Sequence, residues 1–483
     1  MADVAAVFLA VAGITLIGFI AGRIFERTGF PDIPLLLGIG LLAGPVNRLA
    51  VANGGGLPWL DHAIGQDTLR AVGPYMSGLG LVVILFESGL KLEFRGFRSS
   101  IGPALLHTLP IFLVTVAGIA AIGHWVLGMP SLVAVVLGVT LSNVGQTVSA
   151  ALMRSMSLSA ETKAIGFLEM ALYDLISIPI LVSLFSFSGG VGGEAVGASV
   201  RSFFQLASIS LVIGAACGMA WILALRRLGN HPQAYMLTLA VLLGLYGVTQ
   251  FLGGSGAIAV LLFGLMVGNR SALAKVFGTE PGSAAGSQRV EAFHDEISFF
   301  VRTVFFLYLG ASFSLAVTGT WPVTTALPIL SAFNNQGALF AIGAILVVAW
   351  FVAARWICIS LISVRIRPAT RGLIPVFGHG LGTAVLATLP FVAVQYQPGT
   401  HFYEQFNPWE QMFLNLALLI ILATVLLSSI LVWMQERPVR QRRAARAELA
   451  SREDKPAAAA TPSARPAPAA SKPSAPAPPR RKA

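Results

Sequence analysis

Stretches of roughly twenty apolar residues, the length a helix needs to cross about 30 Å of hydrocarbon, recur along this chain between short punctuations of Gly, Pro and charge. They fall at 4–25, 32–50, 71–91, 102–127, 130–153, 162–187, 203–227, 233–251, 255–269, 294–317, 336–363, 371–396 and 410–435, thirteen in all, the ninth of them short. With 483 residues, 55% hydrophobic and only 11% charged, the chain cannot be solvated by water around a single core. It reads as an all-α polytopic membrane protein. The first stretch has no basic leader and is longer than a signal-peptide core, so it is expected to be retained as a span. Two cysteines exclude a disulfide framework and a cysteine zinc site.

The net charge of +11 suggests a nucleic-acid partner only until it is divided along the chain. Residues 437–483 carry 12 Lys/Arg against 3 acids, so the basic character belongs to this Ala/Pro-rich tail. Its composition cannot build a core, and it is expected to be disordered, cytoplasmic and drawn to anionic lipid. Thirteen spans put the termini on opposite sides. With the N-terminus outside, fifteen Lys/Arg fall on inner loops against three outside, Arg48, Arg70 and Arg201. That bias predicts an N-out, C-in orientation in a bacterial inner membrane. An odd count also allows two six-span repeats of opposite orientation, spans 1–6 and 8–13, joined by span 7.

Few ionisable residues remain inside spans, and each is costly at depth and a functional candidate for that reason. They are Glu87, Glu169, Asp174, Arg302 and Arg355, with His379 near the start of span 12. Glu169 and Asp174 share span 6 but lie five residues apart, roughly 140° around the helix, so they cannot serve one partner. The simplest arrangement pairs Glu169 with a structural cation and leaves Asp174 facing a hydrated cavity, where its carboxylate takes a proton or a monovalent metal cation; a hydrogen-bonded structural acid is the alternative. Arg355 sits too deep to snorkel and needs an internal acid, for which Glu169 is the candidate. Arg302 is closer to an end marked by His294, Asp295 and Glu296, so snorkelling or pairing there explains it. Glu87 stands one turn before Lys91, which makes an i,i+4 pair the plain reading and a cavity-lining role the sharper one.

Two segments are too polar and glycine-rich for uninterrupted helix: TLSNVGQTVSAA at 140–151 and PVFGHGLGTAVLATLP at 375–390. Irregular backbone at depth persists only where it lines a cavity or is enclosed by protein. The two segments are the fifth spans of the two proposed repeats, where crossing broken helices would build a transport site. Ser142, Asn143, Gln146 and Thr147 would supply neutral oxygen ligands beside Asp174. Tyr173, Gly378, Gly380, Gly382 and Thr383 would line the break and its cavity, together with Glu87. Close packing of small residues is the other explanation for GHGLG. His379 reads as a satisfied polar residue, not as a proton relay.

These residues resemble the monovalent cation:proton antiporter superfamily, the membrane domain of sodium/proton exchangers and of glutathione-gated potassium efflux systems. The similarity covers about 1–436. PDIPLLLGIGLLAGP resembles the family's opening span, LFESGLKLEFRGFR its span-3 signature, FFLYLGASF its span-10 motif, and RGLIPVFGHGLGTAVLATLP its second broken helix. The resemblance implies that Asp174 binds cation and proton in turn and that Glu169 pairs with Arg355. It further implies a moving core of spans 4–6 and 11–13 and a scaffold of spans 1–3 and 7–10 that forms a homodimer. The chain departs from the sodium/proton branch at two places. The unwound helix has Asn143-Val144-Gly145-Gln146 in place of Thr-Asp-Pro, and span 6 has Tyr173-Asp174 in place of Asn-Asp. The potassium efflux branch, where Gln-Asp is typical, also lacks the second acid. One titratable carboxylate implies electroneutral exchange of one cation for one proton, with no cofactor. The rival readings are an organic-anion carrier, which the acid at the site argues against, and a channel or sensor built on the same fold. An intramembrane enzyme is not expected, for want of a nucleophile and base arrangement or a metal-ligand cluster.

Overall fold

The computed structural model describes residues 2–28, 31–91, 98–185, 193–228, 234–276, 284–313, 336–365, 368–395 and 401–453. Every regular element among them is helical, as a bilayer requires of a chain whose backbone polar groups must satisfy one another. The first four spans are α1 (Ala2–Thr28), α2 (Asp32–Leu41), α3 (Gln66–Lys91) and α4 (Arg98–Ala121). α2 continues through a π-helical turn, Leu42–Val46, which accommodates Pro45, into a short helix at Asn47–Ala52. The fifth span is divided into α5 (Ser131–Leu141) and α6 (Gln146–Ser155). α7 (Ala160–Phe185), α8 (Gly193–Leu228), α9 (Ala234–Phe251), α10 (Gly256–Gly268), α11 (Ala284–Ser312) and α12 (Gln336–Arg365) follow. The twelfth span is a 3-10 turn, Pro368–Leu373, then irregular backbone to residue 380, then α13 (Leu381–Gln395). α14 (Glu410–Glu453) is the last.

Among the described residues seven helical segments are long and apolar enough to cross a membrane unaided, and shorter apolar helices account for most of the others. Two of these short helices, Ser131–Leu141 and Leu381–Phe391, belong to the interrupted spans 5 and 12. The breaks fall in the fifth member of each set of six spans. Elsewhere the bounds move by a turn or more: the seventh span begins at Gly193, ahead of the expected 203, and the tenth ends at Ser312, short of 317.

The chain forms two compact units, Met1–Met434 and Gln435–Ala483. In the second, 437–453 is helical, which corrects the expectation of a structureless tail from its first residue. RQRRAARAELASRE is rich in Ala, Arg, Gln and Glu, all good helix formers, a local preference that the composition of the whole tail conceals. Residues 454–483 lie outside those described.

In the first unit α3 lies along α10, α10 packs on α8 and α9, and α11 runs beside α2 and α3. α4 packs against α5, α7 and α12. The two groups meet where α3 lies along α13 and α7. Within the first group small residues bring α2 and α11 close: a Cβ on Gly40 of α2 or on Gly310 of α11 would stand 2.9 Å from the other's Cα. Large apolar side chains, among them Leu16, Val212, Phe251 and Leu361, point outward and exposed. Such a surface is an aggregation liability in water and an ordinary one in lipid.

Candidate functional site

The two broken spans cross where Gly145 N–H donates to Gly378 O at 2.9 Å. Only glycine fits: a Cβ on Gly145 would stand 2.6 Å from Gly380 Cα and 2.8 Å from His379 C. Gly145→Ala is therefore expected to cost about 1–3 kcal/mol through overpacking against backbone, visible as a lowered melting temperature of the detergent-purified protein. The crossing is tied on both sides. Thr383 Oγ1 donates to Asn143 O at 2.8 Å, and Ser149 Oγ donates to Gly378 O at 3.3 Å. His379 is hydrogen-bonded at both ring nitrogens, 2.8 Å from Leu141 O at the end of α5 and 2.9 Å from Thr424 Oγ1 on α14. It thereby occupies one of the carbonyls that α5 leaves open at its C-terminus.

Asp174 of α7 lies against this crossing, with only 2% of its surface exposed. Oδ1 accepts from Asn143 Nδ2 at 2.7 Å; Oδ2 accepts from Ser88 Oγ at 2.5 Å and from Gln146 Nε2 at 2.7 Å. Asn143 Nδ2 is also 3.1 Å from Ser177 Oγ, and Gln146 Nε2 is 2.8 Å from Ser88 Oγ. All three donors are neutral, and no Lys or Arg among the described residues pairs with this carboxylate. Asn143 Oδ1 is buried without a hydrogen-bond partner. Gly382 completes the pocket floor, where a Cβ would meet Asn143 Oδ1 at 3.2 Å and Asp174 Oδ1 at 3.3 Å.

Glu169 has the opposite surroundings. Arg355, 1% exposed, donates to it twice, Nη1 to Oε1 at 2.5 Å and Nη2 to Oε2 at 3.3 Å. The guanidinium also donates from Nη2 to Leu373 O at 3.1 Å, capping the 3-10 turn ahead of the second break. His107 Nδ1 of α4 stands 3.3 Å from Glu169 Oε2. Two carboxylates on one helix are thus sorted by environment: one is neutralised by a bidentate cation, the other is held by neutral dipoles.

A cavity of about 530 Å³ leads to the site from the end of the bundle that carries Lys91 and Arg154. Glu87, Ser298 and Arg302 form part of its wall, as does Gln146, a donor to Asp174. Glu87 pairs with Lys91 and accepts from Ser298 Oγ at 3.2 Å, so both readings of this residue describe it. Arg302 has a partner that the sequence reading did not name. Its Nη2 is 2.9 Å from Asp32 Oδ2 at the first turn of α2, an ion pair between helices. Asp295's side chain lies outside the described residues.

The remaining candidates divide. Asn143, Gln146, Gly382 and Asp174 come together. Ser142 Oγ donates to Val139 O at 2.9 Å within its own helix end, away from the carboxylate. The side chain of Thr147 lies outside those described. Tyr173 lies one turn from Glu169 and shares the ion pair's face; among the described residues it does not line the cavity. Ser88 and Ser177, beside Asp174 and Asn143, and His107, beside Glu169, are neighbours that sequence reasoning passes over. Ser88 carried the one available signal, a hydroxyl in an otherwise apolar span next to Glu87.

A polytopic helical bundle in which two broken helices cross beside one buried, unpaired carboxylate has the architecture of a secondary transporter. The chain belongs to the sodium/hydrogen exchanger family, whose transmembrane domain matches residues 12–434. The probable Na(+)/H(+) antiporter 2 of Methanocaldococcus jannaschii is 23% identical over 395 residues, 79% of this chain and 83% of that protein. The K(+)/H(+) antiporter NhaP of Alkalimonas amylolytica is 26% identical over 312 residues, 62% of this chain; the match spans 48% of that protein, about half its length. The solved structure of the sodium proton antiporter MjNhaP1 from M. jannaschii at pH 8 superposes with a TM-score of 0.69, covering 89% of this chain and 97% of that one. At 17% identity that likeness establishes the shared fold.

Proposed function

We propose that this protein is a secondary antiporter that exchanges a monovalent cation, Na⁺ or K⁺, for H⁺, with Asp174 as the site both ions share. The observation that carries the reading is the Asp174 carboxylate itself, buried, without a cationic partner, and reached by the cavity through Gln146. A bare carboxylate in such a place is penalised by desolvation by several kcal/mol. A proton or a monovalent cation removes that penalty equally well, and one group cannot hold both. Competition is then the coupling, and one carboxylate gives one cation per proton and no net charge movement.

The oxygen ligands for a cation are the Asp174 carboxylate, the unpartnered Asn143 Oδ1, and the Ser88 and Ser177 hydroxyls. Gln146 adds its Oε1 when its amide turns over. Ser142 adjoins Asn143 on the same break. The moving core is spans 4–6 and 11–13; the scaffold of spans 1–3 and 7–10 makes the homodimer and carries the inverted-repeat counterpart helices. The Lys/Arg-rich ends face the cytoplasm of a bacterial inner membrane, so the wide cavity is the inward one. The names of the relatives support both cations as candidates.

Purified protein in liposomes with a trapped pH dye tests this reading. Addition of external Na⁺ or K⁺ is expected to alkalinise the lumen, at a rate unchanged when the membrane potential is clamped at zero. Proton movement with neither cation contradicts antiport; a rate that follows the potential contradicts one-for-one exchange.

A further inference from the structure

Among the described residues the donors to Asp174 come from two different groups of helices. Asn143 and Gln146 belong to the divided fifth span, whose halves α5 and α6 pack on α7, so these two donors and Asp174 share one group. Ser88 does not. It stands on α3, fully buried, and its hydroxyl crosses to Asp174 Oδ2 at 2.5 Å. At this level α3 is fixed to the other group. A Cβ on Gly89 would stand 2.5 Å from Leu261 O of α10, and one on Gly264 of α10 would stand 2.7 Å from Phe86 O of α3. Backbones that meet so closely hold each other in place, so Ser88 is carried with α10 and not with α7.

A serine hydroxyl has one hydrogen to donate and two lone pairs that accept. The hydrogen of Ser88 goes to Asp174, and one lone pair takes Gln146 Nε2 at 2.8 Å. The second lone pair can add an oxygen ligand to those that Asp174, Asn143 and Ser177 provide. Both uses favour a cation over a proton, because a hydrogen bond donated to a carboxylate is stronger than one donated to its protonated form.

We infer that Ser88 is a cation ligand of one conformation only. It completes the site while Asp174 faces the cavity at the Lys91 end, and it stays behind with α3 and α10 when the core moves. The inference rests on the antiporter reading and on its division into core and scaffold. Asp174, Asn143, Gln146 and Ser177 travel together, so in the other conformation the site lacks one oxygen and one donor. There it holds a cation less tightly and a proton more tightly. The protein therefore takes up a cation at the Lys91 end in preference to a proton, and releases it more readily at the opposite face. The two ion gradients still fix where exchange stops; Ser88 sets the face at which a low cation concentration suffices.

The test is the Na⁺ or K⁺ concentration giving half-maximal exchange from each face, measured in right-side-out and everted membrane vesicles of a host without its own exchangers. Wild type, Ser88→Ala and Ser88→Thr are compared. Labelling of Arg154→Cys by an impermeant maleimide, in a chain carrying Cys217→Ser and Cys358→Ala, tells which vesicles expose the Lys91 end. The wild type should need about tenfold less cation at that end than at the other, the scale of one hydrogen bond to a charged group. Ser88→Ala should raise the value at the Lys91 end about tenfold, leave the other face unchanged and keep the maximal rate. Ser88→Thr, which retains the hydroxyl, should behave as the wild type. An alanine variant shifted equally at both faces, or at neither, overturns the inference, as does one that melts lower and exchanges at no cation concentration. Wild-type vesicles that exchange nothing refute the antiporter reading and the inference with it, whereas a working exchanger with equal values at its two faces refutes the inference alone.

Discussion

Replacement of Asp174 by asparagine is expected to abolish cation–proton exchange, down to the leak of protein-free liposomes, while the protein still inserts, purifies and melts no lower than the wild type. The two halves of this expectation have different causes. Activity is lost because the amide cannot ionise, so neither ion is bound and nothing couples their movements. Stability is retained because the amide fits the same hydrogen-bond pattern. Its oxygen accepts from Asn143 as Oδ1 does now, and its NH₂ can donate to Ser88 Oγ or to a turned Gln146 amide. A buried charge is removed in exchange, and desolvating such a charge costs several kcal/mol, so the melting temperature should hold or rise. Flux assays and thermal unfolding on one preparation separate the two effects. Retained exchange would refute the shared site, and loss of fold would make Asp174 a structural residue.

Arg355→Ala should produce the reverse profile, a protein that fails to fold stably. Removing one member of a buried pair strands the other charge, at about 3–5 kcal/mol, and here the carboxylate of Glu169 is 2% exposed, with His107 Nδ1 3.3 Å away. The variant also forfeits the donors to Leu373 O that hold the turn before the second broken helix. Glu169→Leu combined with Arg355→Met should recover most of the loss, since a buried pair replaced by apolar groups of similar volume is often neutral. Thermal unfolding of the single and double variants forms the cycle. A double variant as unstable as Arg355→Ala alone would mean that the arginine acts through Leu373 and packing, not through Glu169.

Much of this arrangement is legible in the sequence, for reasons of physics that act locally. Spans are visible because burial in lipid demands long apolar runs, and the breaks at 142–145 and 374–380 are visible because glycine and hydroxyl residues are out of place in such runs. The opposite fates of Glu169 and Asp174 follow from helix geometry, five residues being about 140° of turn. What is not legible depends on partners distant in the chain. Arg302 sits beside His294 and Glu296 in sequence, yet Asp32, 270 positions away, takes it. Ser88 is one small hydroxyl beside the more conspicuous Glu87, and nothing in its span says that it faces α7. His379 likewise needs Leu141 and Thr424 brought to it by folding. The helix through 437–453 was hidden for another reason: an average over the tail dilutes a short helix-forming stretch with the Pro-rich residues that follow.

The account turns on one carboxylate holding either a proton or a cation, and counting protons released on cation binding tests that without any transport. Calorimetric titration of the detergent-purified protein with Na⁺ and with K⁺, repeated in buffers of different ionisation enthalpy near the pH where the site is half protonated, gives the number directly. Binding should release a fraction of one proton per cation that rises toward one as the pH is lowered, and Asp174→Asn should bind no cation and release none. Cation binding with no proton release at any pH, or binding and release that persist in the asparagine variant, would contradict competition at Asp174.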